Sequence, residues 1–206
     1  YMFVDRSFIF DRIGGPLLGL FPFIAMFLVT SITMLRERTT GTLERLMTLP
    51  LAKIDLLLGY GAAFALVAAV QATAVSVLAF GLLDLETAGP PWLVIVLAVG
   101  NAVLGMSLGL FFSAFARTEF QAVQFMPAVV FPQLLLCGLI VPREEMARAL
   151  EVASLFLPLT YAYDALDRVT RLDLVDARLA LDVIVVAGST ILALVLGALT
   201  LRRRTA

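Results

Sequence analysis

Five uncharged, apolar runs limit what this chain can fold into: about residues 13–35, 56–83, 92–116, 120–142 and 183–201, each bracketed by ionisable residues. A helix rises about 1.5 Å per residue, so roughly 20 apolar residues cross a hydrocarbon core about 30 Å thick. A Lys, Arg or Asp at a helix centre costs about 2.5 to 3.5 kcal/mol on insertion scales, so their absence from all five cores favours insertion. A composition 61% hydrophobic and 15% charged, with a mean hydropathy of +1.00, is that of a membrane protein. The expected fold class is therefore all-α integral membrane, a helical bundle of five visible transmembrane helices in one domain over residues 1–206.

A shorter run, VASLFLPLTYAY (residues 152–163), contains Pro158 and is too short to cross, so it suits a re-entrant or interfacial piece. Alternation of the spans puts Arg36, Arg38, Arg45, Lys53, Arg117 and the Arg202 to Arg204 triplet on one side. The other side receives residues before 13, the short acidic loop with Asp84 and Glu86, and the long segment from Arg143 to Asp182. Lys and Arg number eight against seven, so the count alone does not orient the chain. The first side has its cations in short loops and directly against the last span, while the other side scatters them among acids. The first side, with the C-terminus, is expected to be cytoplasmic.

Composition also removes chemistry. With no histidine, the usual general base, the serine and cysteine triads and the HExxH zinc site are all absent. Gly105-Met-Ser107-Leu-Gly109 has the letters of a nucleophile elbow, which needs a strand-to-helix turn and a base. Here it lies inside an apolar span, where Gly105 and Gly109 read instead as a GxxxG pair for close helix approach. Gly59 with Ala63, and Ala193 with Gly197, repeat the small-xxx-small spacing, which suits a multi-helix bundle able to dimerise. The single Cys137 falls in a span and reads as a small buried apolar group. No catalytic residue and no metal site is read, and a net charge of −1 offers nucleic acid no basic field.

No ionisable residue stands inside a span to partner a coupling ion. Intramembrane polarity is confined to amides and hydroxyls, of which Gln71, Asn101, Gln124 and Gln133 are candidates to line a pathway. Interhelical hydrogen bonding is the competing explanation. No GxxxxGK[ST] phosphate loop occurs, so energy from ATP would have to arrive through another subunit.

Between the first two spans the chain reads LRERTTGTLERLMTLPL (residues 35–51). Thr40 or Thr42 can cap a short helix over about 40–49, with Leu43, Leu46 and Met47 as one apolar stripe. Glu44, Arg45 and Thr48 face elsewhere, and Pro50 is a natural stop. Pattern alone leaves two roles open for this helix, lying on lipid headgroups or docking on a protein.

The string resembles the cytoplasmic signature of type-2 ABC exporter permeases of the drug and lipid export branch, R-E-x-x-x-G-T-x-E-x-L-x-x-x-P. It matches at Arg36, Glu37, Gly41, Thr42, Glu44, Leu46 and Pro50. Residues 111–127 and 157–166 sit where that family has a short cytoplasmic turn and a proline-containing external re-entrant pair. The resemblance implies a coupling helix, with Arg36 and Glu37 as interfacial charges, Leu43, Leu46 and Met47 as anchor, and Glu44 or Arg45 as polar contacts. The partner would be a separate cytoplasmic ATPase that binds ATP and Mg, this chain holding no cofactor. It further implies a second permease copy or homologue, an inner-membrane location, an external gate over about 138–163, and six spans, the first upstream of Tyr1.

On that resemblance the expected function is the permease subunit of an exporter for an amphipathic or lipid-like substrate. A competing class is a non-transporting membrane scaffold whose short helix binds a regulator or lipid. A membrane enzyme built on Ser107 is a third.

Overall fold

The computed structural model describes residues 6–48, 53–172 and 176–200, with side chains for all of these except residues 6–13, 43, 44, 47, 53, 54 and 57. Its regular elements are helical: α1 (Arg6–Thr39), α2 (Thr42–Met47), α3 (Lys53–Gly81), α4 (Pro91–Phe112), α5 (Glu119–Leu136), α6 (Arg148–Ser154), α7 (Pro158–Asp167) and α8 (Ala177–Leu199). A 3₁₀ turn at Arg143–Glu145 precedes α6, and a π-helical turn at Arg168–Leu172 follows α7.

Among the described residues, four stretches are long and apolar enough to cross a membrane: Gly14–Thr39, Leu58–Gly81, Pro91–Phe112 and Ala177–Leu199. The run at 120–142 falls on α5, which stops at Leu136 after 18 residues and is not among the four. At 1.5 Å per residue it is about 27 Å long, short of a full hydrocarbon core. Pro127 and Pro132 interrupt its hydrogen bonding, and three glutamines dilute its apolarity. Just past α5 the chain turns at Gly138, whose φ of +104° is backbone that a side chain rarely adopts. The run at 152–163 is divided between α6 and α7, with Pro158 at the first position of α7, where its missing N–H leaves no helix bond unmade.

α1 also departs from the sequence boundaries, continuing through Arg36 and Arg38 to Thr39. Both cations sit in its last turn, where the helix dipole is negative.

α1 and α4 form the most extensive helix pair. They run in the same direction, so that Gly105 lies on the backbone of Phe23 and Gly109 on that of Phe27. Phe23, Met26 and Phe27 are fully buried. Burying a Phe side chain away from water contributes about 1.5 to 3 kcal/mol. In a bilayer the lipid is as apolar as the core, so helix association rests on close packing instead. The absence of a Cβ at Gly105 and Gly109 supplies that closeness. α1 contributes small residues of its own, with Gly15 against Thr170 and Gly19 against Asn101 and Leu166.

α3 and α8 lie at the edges. Only 22% of each one's apolar window is buried inside the protein, against 61% for α4. The two ends of the bundle differ in construction. At one end, the α3–α4 loop is pinned to the π turn by Ala88 N–H to Thr170 C=O at 2.9 Å and Gly89 N–H to Val169 C=O at 3.0 Å. At the other end, α1 leads into α2, and α4 turns into α5.

Candidate functional site at the Arg36 end

α1 ends at Thr39 and α2 begins three residues later, so the turn between them must be tight. Gly41 makes it, with a φ of +78°. Gly41 is itself the N-cap of α2, and no side chain caps the helix. The expected capping by Thr40 or Thr42 is thus not formed. The hydroxyl of Thr40 donates instead to the Arg36 carbonyl at 2.8 Å and lies 3.1 Å from the Thr42 hydroxyl. It serves a carbonyl in the last turn of α1 rather than an N–H at the start of α2.

α2 closes at Met47, with the Thr48 hydroxyl donating to the Arg45 carbonyl at 2.7 Å. Leu46 is half-buried and packs on the core cluster that includes Met34, Leu56, Met106 and Leu110. Thr42, Arg45 and Thr48 are exposed. Leu43, Glu44 and Met47 lie on α2, their side chains outside the described residues, as is Pro50 altogether.

The side chains of Arg36 and Glu37 turn to other helices. Arg36 donates through Nε and Nη2 to the two carboxylate oxygens of Glu119 at 2.7 and 3.0 Å. This is the bidentate arrangement in which guanidinium and carboxylate bond most strongly. The hydrogen bond from Arg36 holds the exposed Glu119 carboxyl below the usual carboxylate range. Glu37 accepts from the Tyr60 hydroxyl on α3 at 3.1 Å. Arg38 is half-buried, and its Nε has no hydrogen-bond partner among the described residues.

Glu119 is fixed in turn by the start of α5. The Thr118 hydroxyl accepts from the Gln121 N–H at 3.2 Å, and the Gln121 side chain accepts from the Arg117 N–H at 2.8 Å. This is close to a capping box, and T-x-x-Q ahead of an apolar run was its unused signal in the sequence. Asp176 caps α8 similarly, accepting from the Leu179 N–H at 3.0 Å. That bond holds the Asp176 carboxyl below its usual value.

The four candidate pathway amides sit in different surroundings. Gln71 is half-buried on α3 and Gln124 is exposed on α5. Gln133, buried on α5, donates to the Val129 carbonyl at 3.1 Å and accepts from the Leu159 N–H at 3.4 Å, tying α5 to the start of α7. Asn101 is buried on α4 and lines an apolar groove of about 460 Å³ between α4 and α8, with Leu97, Val186 and Thr190. Of the small-residue pairs, Gly105 and Gly109 meet α1, and Ala193 and Gly197 are buried with Gly197 facing Phe111. Gly59 faces open space and Ala63 is exposed. The Ser107 hydroxyl donates to the Val103 carbonyl at 2.7 Å within α4, the ordinary behaviour of a helical serine and no nucleophile elbow. Among the described residues no cluster of metal-ligating side chains occurs.

The sequence profile of the ABC-2 type transporter family matches residues 2–169. The chain is 28% identical over 156 residues to ABC transporter G family member 20 of Dictyostelium discoideum, covering 76% of this chain and 21% of that protein. It is 29% identical over 130 residues to the probable multidrug ABC transporter permease YbhR of Escherichia coli strain K12, covering 63% of this chain and 35% of that protein. The chain thus spans about a fifth to a third of the length of these curated relatives. An all-helical membrane bundle, a short helix hung from the end of its first span, and a profile match over most of the sequence agree: the chain belongs to the ABC-2 type transporter family and is a membrane component of an ABC transporter.

Proposed function

We propose that this chain is the permease subunit of an ATP-driven exporter, energised by a separate cytoplasmic ATPase that docks on α2. The observation that carries the reading is α2 itself. It is joined to α1 by one tight glycine turn, seats Leu46 on the bundle, and presents Thr42, Arg45 and Thr48 outward. A helix lying on headgroups would bury its apolar side chains in lipid; this one turns Leu46 onto its own protein and leaves Thr42, Arg45 and Thr48 exposed for a partner.

Two permease copies form the transport unit, and the open Gly59 and Ala63 face of α3 suits contact with the second copy or with lipid. The cargo is amphipathic or lipid-like, such as a drug or glycolipid. The apolar groove with Asn101 at its wall supports that class, as does the multidrug permease among the relatives. ATP and Mg reside in the partner, the membrane is the cytoplasmic one, and α2 and the C-terminus face the cytoplasm. The segment over about 138–163 forms the external gate.

Purifying the full-length protein from its native membranes in mild detergent tests this directly. Co-purification of an ATPase with vanadate-sensitive hydrolysis is the expected result. An intact preparation with neither favours the scaffold, with α2 binding a regulator or lipid.

A further inference from the structure

Arg36 and Glu37 are adjacent in sequence, yet each holds a different helix. The Arg36 guanidinium grips Glu119 in the first turn of α5, and Glu37 receives the Tyr60 hydroxyl of α3. The backbone of Arg36 is equally occupied. Its carbonyl accepts from the Thr40 N–H at 2.9 Å, the Thr40 hydroxyl at 2.8 Å and the Thr39 hydroxyl at 3.1 Å. Thr40 in turn touches Thr42, the first residue of α2. One residue therefore holds the root of α2 through its main chain and the head of α5 through its side chain.

Both charges also complement their helices, a cation at the negative end of α1 and an anion at the positive end of α5. From there α5 reaches the opposite end, where buried Gln133 meets the Leu159 N–H of α7. We infer that Arg36 is a relay: movement imposed on α2 is passed to α5 by the Arg36–Glu119 pair, while Glu37 and Tyr60 keep α3 in step. The inference rests on the exporter reading and assigns Arg36 and Glu37 to contacts inside the permease rather than to the ATPase surface.

The pair's exposure sharpens the test. With side chains 63% and 54% exposed, it adds little to stability. Breaking it should leave the fold alone and change only the transmission of force. A packing role would do the reverse.

The experiment uses the full-length permease with its co-purified ATPase, in vesicles of phosphatidylethanolamine and phosphatidylglycerol. Vanadate-sensitive ATP turnover and the thermal unfolding midpoint are measured for wild type, Arg36→Glu, Glu119→Arg and the double exchange. Each single reversal is expected to lower turnover about tenfold, with midpoint and bound ATPase unchanged. The double exchange is expected to recover most of the loss, because the opposite charges again meet. Unchanged turnover in the single variants overturns the relay, as does failure of the exchange to rescue. Loss of the ATPase from the single variants also overturns it, because the pair would then act in docking. Should a reversal misfold, Glu119→Gln keeps the shape without the charge and carries the same test. A wild-type preparation lacking hydrolysis altogether rejects the exporter reading, and the relay with it.

Discussion

Arg143 Nη2 donates to both carboxylate oxygens of Asp164, at 2.8 and 2.6 Å, and so fastens the 3₁₀ turn beyond α5 to α7. Burial pushes the Asp164 carboxyl above its ordinary 3.8, and the pull of Arg143 only partly offsets this. A carboxyl held above its usual value binds its proton more tightly in the folded protein. Its contribution to stability is present below the ordinary value and is lost as pH rises through the raised one. Asp164→Asn removes that titration, so the variant's unfolding midpoint in detergent should fall less than wild type's as pH climbs out of the acid range. Identical pH profiles would show that Asp164 is not the group responsible. Arg143→Ala leaves the carboxylate without its partner and should cost about 1 to 3 kcal/mol at neutral pH.

Gly105→Leu and Gly59→Leu make a matched pair. A side chain at Gly105 collides with the Phe23 backbone, which cannot move aside as a flexible side chain can. Overpacking of this kind costs about 1 to 3 kcal/mol or more, so a lower unfolding midpoint is expected. At Gly59 nothing lies within 4 Å, and the subunit's midpoint should stay where it is. If α3 meets a second copy through this face, Gly59→Leu shifts the complex toward monomer in light scattering without melting the subunit.

The same contact shows what could be read from the chain beforehand. The spacing of Gly105 and Gly109 announced a close approach, because small residues four apart open one strip of a helix. It could not name Phe23 and Phe27, since a groove does not specify what fills it. The end of α5 was hidden for a related reason. No charged residue falls between Glu119 and Arg143 to mark an end, yet the helix stops at Leu136 and the chain turns at the positive φ of Gly138. Arg36 and Glu37 were visible as charges beside a membrane, but their partners lie 83 and 23 positions away. Local pattern carries no information about pairings that only the folded bundle creates.

Leu46 and Arg45 are neighbours with opposite duties. Leu46→Asp places a carboxylate against the core cluster around Met34 and Leu56, and it should loosen α2 from its own bundle. Faster proteolysis between α1 and α3 is expected, with ATPase loss as a secondary effect. Arg45→Glu changes only the exposed face, so it should weaken ATPase retention and leave the proteolytic pattern unchanged. If Arg45→Glu retains full ATPase while Leu46→Asp alone loses it, the exposed face is not the docking surface.

Thr118→Ala removes the side-chain acceptor for the Gln121 N–H. Loss of such a cap costs about 0.5 to 2 kcal/mol, concentrated at the first turn of α5. Hydrogen exchange at Gln121 should accelerate while the amides of α4 keep their protection. Unchanged exchange would mean that Gln121 and Arg117 alone order this turn.

Where Gly105 rests on Phe23 and Gly109 on Phe27, backbone meets backbone with no side chain between them to change rotamer. Such a joint is either seated or separated, with little room for gradual sliding. Parting α1 from α4 would require that joint to come apart whole, so the two are expected to move as one unit, with the pivots in the helices around them. α3, largely exposed at the edge of the bundle, and α5, shortened and interrupted by proline, pack less extensively on this pair and are the helices expected to move against it. A labelled probe pair placed across α1 and α4 would make a fixed internal ruler against which those motions are measured.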